Sequence, residues 1–212
     1  MRKIERFFLA ASILCFVASG ALVAHNLWES AQAARAASSA AAQLQQALPP
    51  PQAPASQPVS EPEQEELPQA LPLVTDPDTG LQAVELDGLY YMGRLELPTL
   101  DLELPVQSSW SYPKLKRTPC RYTGSAETGD LILMAHNYEA HFGRLRELGA
   151  GDVVVFTDVL GQQYTYKVLR VETLEATAIE EMQSGSWELT LFTCTVGGNA
   201  RVTVRCRQVS AE

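Results

Sequence analysis

The chain has 212 residues, 46% of them hydrophobic and 19% charged, with a formal net charge of −9. That length suits one domain with an appendage, and an acidic balance without a basic stripe argues against a nucleic-acid partner. Cys15, Cys120, Cys194 and Cys206 form no C-x-x-C pair and the three histidines complete no zinc-finger spacing, so neither a metal nor a cofactor is expected.

The chain opens with the basic stretch MRKIER, followed by FFLAASILCFVASGALVA. Phe7 to Ala24 is a run without a charge, close to the length a helix needs to cross a bilayer. Positive residues ahead of it predict a cytoplasmic N-terminus and export of everything that follows. A cleaved signal peptide is the rival reading, with Ala31-Gln32-Ala33 as the small-residue site. That site lies seven residues past the apolar run, so an uncleaved anchor fits better. Residues 1–28 are accordingly read as cytoplasmic N-terminus and transmembrane anchor.

Residues 29–80 read as a disordered stalk. Up to about residue 48 the segment is Ala- and Gln-rich, helix-compatible but almost without a large apolar face. From Pro49 to Pro72 it is rich in Pro, Gln and Glu, a composition that buries too little apolar surface to offset the entropy of ordering. Fully extended, that Pro-rich part would span roughly 70 Å. Its expected use is reach, not chemistry.

Residues 81–212 read as the folded domain, its composition changing near Leu86. YMGRLELPTLDLELPV, GDLILMAH, GDVVVFTD, QQYTYKVLRVETL, WELTLFTC and ARVTVRCRQV are short strand-like runs, punctuated by Gly, Pro and Asp. HFGRLRELG (141–149) is the best candidate for a short helix, ended by a glycine. Many strands with one or two short helices predict a mainly β barrel or sandwich.

Residues 189–206, LTLFTCTVGGNARVTVRC, form a hairpin pattern about Gly197-Gly198. A two-residue primed turn there would place Val196 opposite Asn199, Thr195 opposite Ala200 and Cys194 opposite Arg201. Opposed residues share a face with Cβ atoms about 5 Å apart. A guanidinium beside a thiol favours the attacking thiolate and offers hydrogen bonds to an oxygen that becomes negative in a tetrahedral intermediate. A cysteine nucleophile also needs a proton carrier. His136 ends a strand and His141 lies in a loop, and placement at a strand tip favours His136. Arg205 and Arg207 share the face of Arg201 and are fallback candidates, read first as structural. Cys120 and Cys206 read as free buried thiols, with a disulfide left open because the domain is exported.

TLFTC, a downstream arginine in RVTVR and LILMAHN upstream together resemble the sortases, membrane-anchored cysteine transpeptidases of Gram-positive bacteria. GRLELPTLDLELPV is similar to the family's first strands, and residues 124–158 match its middle region. Ala135 stands where the family often has glycine, and six residues separate Cys194 from Arg201, fewer than in many sortases.

The resemblance implies an eight-stranded sortase barrel, with Cys194 as nucleophile, His136 as general acid/base and Arg201 orienting substrate and stabilising the oxyanion. It implies a donor role for the Thr195 backbone N–H and a place for Thr193 beside the substrate. Secreted proteins with a C-terminal sorting signal would be substrates, and an amine of a peptidoglycan precursor or a pilin the acceptor. Two other readings stay open: a membrane-tethered hydrolase using the same residues with water, and a non-catalytic extracellular barrel that binds a partner.

Overall fold

A computed structural model of the chain describes residues 2–47 and 72–209. The part of the expected stalk between 48 and 71 lies outside them. Helix α1 (Arg2–Ala47) runs for 46 residues, about 70 Å at the usual rise. It contains a stretch long and apolar enough to cross a membrane, with a mean hydropathy of 2.3.

The Ala-rich segment from residue 29, read as the start of a stalk, instead continues this helix to Ala47. Alanine has the highest intrinsic helix propensity, and the spacing of Ala33, Ala37, Ala40 and Leu44 puts one buried stripe along a single face. These small side chains let α1 lie close against the domain. Ala40 and Leu44 pack with Val84, Leu86, Tyr91 and Val159 in a cluster of their own. What the sequence lacks in bulky apolar residues is made up by close approach.

Among the described residues the domain is built from ten strands. β1 (Leu73–Thr75) and β2 (Gln82–Leu86) form an antiparallel hairpin, and β1 begins upstream of residue 81. β3 (Leu89–Leu97) pairs with β2 through its first residues. It then pairs with β7 (Val153–Asp158) from Gly93 to Glu96, while its other edge holds β4 (Leu102–Gln107). That second pairing closes the sheet. Around the ring the order is β3, β4, β5 (Cys120–Thr123), β6 (Leu131–Met134), β9 (Leu189–Cys194), β10 (Ala200–Gln208), β8 (Gln163–Glu175) and β7. The result is the expected closed eight-stranded barrel, which leaves no free edge within the ring.

Alternation sets the core. Leu131 and Leu133 lie opposite Leu189 and Leu191, and Leu95 opposite Leu104, all buried inside. Full burial of such a side chain contributes roughly 1.5–3 kcal/mol. On β6 and β9 the outward residues Ile132, Met134 and Phe192 are apolar too. Ile132 and Phe192 are buried against Met182 of α3 (Ile179–Gln183), a short helix between β8 and β9, with Met134 packed alongside. A second short helix, α2 (Tyr112–Leu115), joins β4 to β5. The helix expected over 141–149 is only a 3₁₀ turn at Leu145–Glu147. Flanked by Gly143 and Gly149, the segment is too short to repay helix nucleation.

Candidate active site

Two pairings bring distant residues level. β6 and β9 run parallel with Met134 beside Phe192, and the ladder continues as the Ala135 N–H donates to the Phe192 carbonyl at 3.3 Å. One step further along the same register, His136 stands beside Cys194. β9 and β10 run antiparallel with Cys194 opposite Arg201. Cys194 ends β9, Arg201 lies on β10 and His136 follows the end of β6, three neighbouring strands whose spacing is about 4.8 Å. All three residues line one cleft of about 260 Å³.

The same parity explains the cleft. His136, Cys194 and Arg201 point outward with Met134 and Phe192, which form an apolar floor. Ile179 and Met182 of α3 make one wall, and Trp110 and Tyr112 the other. Tyr112 is 74% exposed and Ile179 55% exposed, so the groove is apolar and open.

The hairpin keeps the expected register with a different turn. Gly198 N–H donates to the Thr195 carbonyl at 2.9 Å, and Gly197 takes φ +88° at the third turn position, as in a type II turn. Val196 to Asn199 form the loop, closed by the pairing of Thr195 with Ala200. An even number of residues in the loop preserves the facing of Cys194 and Arg201. Arg201 Nη1 donates to the carbonyls of Gly198 (3.0 Å) and Ala200 (3.1 Å). Among the described residues no carboxylate pairs with it, and its other N–H groups are available to an incoming oxygen.

Residues 95–209 match the Sortase domain family model. The chain belongs to the sortase family. No curated protein matches. Among solved structures, sortase C1 from Streptococcus agalactiae is similar at 25% identity and a TM-score of 0.54, over 60% of this chain and 72% of that one. Sortase A from Corynebacterium diphtheriae is similar at 20% identity and a TM-score of 0.52, over 58% of this chain. The match spans 63% of that protein's length, less than two thirds of it. Group B Streptococcus pilus island 1 sortase C2 aligns at 20% identity with a TM-score of 0.51, over 59% of this chain and 77% of the other.

Within this sortase, burial separates the thiols. Cys120 and Cys206 are free and fully buried, and burial pushes each up to about 12. Cys194 is half-buried and reaches the cleft. The two histidines separate likewise. His136 is half-buried in the cleft wall, its pKa lowered by burial and then by the Lys116 charge, with Glu29 opposing, so the imidazole rests neutral near pH 7. His141 is fully buried, pushed down to about 4 by burial and by His136.

A histidine held neutral by the fold makes stability depend on acid. The unfolded chain binds the His141 proton near pH 6.5 and the folded chain only near pH 4. Stability is therefore full above about pH 6.5 and falls toward pH 4, by up to about 3 kcal/mol from this group. His141→Gln is expected to flatten that limb when melting temperature is followed between pH 7 and 4.

Thr193 lines the cleft, whereas Thr195 does not. Thr193 Oγ1 donates to the Ala135 carbonyl at 2.8 Å, so its hydroxyl ties β9 to the peptide ahead of His136. The Thr195 N–H donates to the Ala200 carbonyl at 2.9 Å, which removes it as an oxyanion donor. Its side chain lies off the cleft, because it alternates with Cys194, and its Oγ1 accepts from the Ala200 N–H at 3.2 Å. Arg205 and Arg207 are accounted for structurally. Arg205 is buried beneath α3, and Arg207 is exposed near Glu188 and Ser186. Sequence reasoning missed α3 as a wall, although apolar residues on both faces of LILM and LTLF signal that the outer face is covered.

Proposed function

We propose that this protein is an exported, membrane-tethered cysteine transpeptidase that cleaves a sorting signal and transfers the acyl group to an amine. The apolar run of α1 would span the membrane once, with the basic N-terminus in the cytoplasm. The observation that supports the activity is that His136, just past the end of β6, Cys194 on β9 and Arg201 on β10 line one cleft.

In this reading His136 takes the Cys194 proton as sulfur attacks the carbonyl carbon of the scissile peptide. The carbonyl oxygen becomes negative and is met by Arg201. Collapse breaks the C–N bond, and the imidazolium returns the proton to the departing amine. A thioacyl enzyme remains. A second amine, from a peptidoglycan precursor or a pilin, then attacks the thioester, losing a proton to His136 as the Cys194 sulfur leaves. Burial and Lys116 favour the neutral imidazole, the form that can accept the Cys194 proton.

The test incubates the full chain in detergent with candidate sorting peptides, with and without triglycine, and reads products by mass spectrometry. The expected result is diversion of the cleaved acyl group onto the added amine. Cleavage that ignores the amine would instead mark a hydrolase. Arg201→Ala is expected to cut ligation about a hundredfold, the scale for losing an oxyanion donor.

A further inference from the structure

The imidazole of His136 has a role that depends on its orientation, yet its Nε2 is buried without a hydrogen-bond partner. An aromatic ring lies against it. The Tyr138 ring lies 5.0 Å from His136, centroid to centroid, tilted by 35°. Behind it stands His141, 5.6 Å from Tyr138. Three mutually tilted rings thus form a continuous row running from the cleft inward.

The tyrosine in the middle is fixed at both ends. Its carbonyl accepts from the N–H groups of His141 and Gly143, both at 2.9 Å. That tight turn requires Gly143, since a Cβ there would come within 2.6 Å of the Asn137 carbonyl oxygen. At the other end the phenol donates to Glu29 Oε2 of α1 across 3.5 Å. Glu29 Oε1 in turn takes Lys116 Nζ at 2.9 Å. The backbone of Ala33, one turn further along α1, faces the buried His141.

We propose that Tyr138 is a positioning residue for His136, and that α1 sets it through Glu29, so that the helix is a working part of the site as well as a tether. This rests on the reading of His136 as the proton carrier. Tyr138 supplies a flat face that limits rotation of the imidazole, and Glu29 keeps that face in place. The groups that face the imidazole are Lys116 from the α2 turn, Glu29 from α1, Tyr138 and His141 from its own loop, and Cys194 and Arg201 from the hairpin. Of these, Lys116 and Glu29 act on its proton affinity in opposite senses, so α1 tunes the site electrostatically while it holds the ring.

The experiment uses the full chain in detergent and follows ligation against pH, with the His136 ring signal titrated by NMR. His136→Ala is measured first, and retained ligation there would overturn the proposed function itself. With that control silent, Tyr138→Leu is expected to lower kcat about tenfold or more with KM within about twofold, and Tyr138→Phe, which keeps the ring but loses the bond to Glu29, to fall between Tyr138→Leu and the unaltered protein. Glu29→Gln leaves the Lys116 charge unopposed and should move the His136 titration to lower pH, while Lys116→Gln should move it higher. Both substitutions sit at the surface of the fold, so they read the coupling even if Tyr138→Leu fails to fold. A wild-type kcat in Tyr138→Leu, or an unmoved His136 titration in both charge variants, would overturn the proposal.

Discussion

Cys194→Ala is expected to leave the melting temperature near that of the unaltered protein and to remove ligation, by four orders of magnitude or more as for deletion of a nucleophile. Cys194 is half-buried at the end of β9, so the missing sulfur opens no cavity in the core. No other thiol can take its place. Cys120 and Cys206 are sealed inside and hold their protons to about 12, and Cys15 lies on the apolar part of α1. His136→Ala should be as silent, because the remaining histidine of the barrel, His141, is buried and stays unprotonated to about pH 4. The check pairs a ligation assay with mass spectrometry of a peptide thioacyl trap. Trapping at any cysteine in Cys194→Ala, or turnover above background, would rule out the assigned nucleophile.

The legible part of this site was local. Alternation over LTLFTC and ARVTVRC, with a Gly-Gly between them, was enough to oppose Cys194 and Arg201, because register depends on the parity of the loop more than on its turn type. The backbone of the turn itself was misread, as Val196 and Gly197 occupy its centre. What could not be read was the parallel pairing of β6 with β9. Those strands lie far apart in the chain and nothing local announces their partnership, yet that pairing sets His136 beside Cys194. Composition misled at the other end. An alanine-rich segment with few large apolar residues looked like a spacer, whereas Ala33, Ala37 and Ala40 are buried because they are small. The Thr195 N–H looked available only while the hairpin ladder was ignored. Its bond to Ala200 follows from the same register that faces the thiol with the guanidinium.

Arg205→Ala is expected to destabilise the protein by about 3 kcal/mol, the scale for stranding buried hydrogen-bond acceptors. Arg205 is 2% exposed. Its Nε donates to Glu172 at 2.8 Å, Nη1 to the Met182 carbonyl at 2.7 Å and Thr190 Oγ1 at 3.1 Å, and Nη2 to the Glu181 carbonyl at 2.5 Å. Two of these acceptors belong to α3, five residues long and without a side-chain cap at its N-terminus. A helix that short does not persist alone, so the arginine beneath it holds the segment onto the barrel. Glu172 keeps a second partner in Arg170 at 3.1 Å, which places most of the cost on the abandoned carbonyls. Since Ile179 and Met182 form a wall of the cleft, loosening α3 should raise KM for the sorting peptide and speed alkylation of Cys194. Denaturant titration with parallel kinetics separates these effects. A loss below about 1 kcal/mol, the scale of an exposed pair, would mean that α3 is held by its apolar face and that Arg205 only fills the space beneath it.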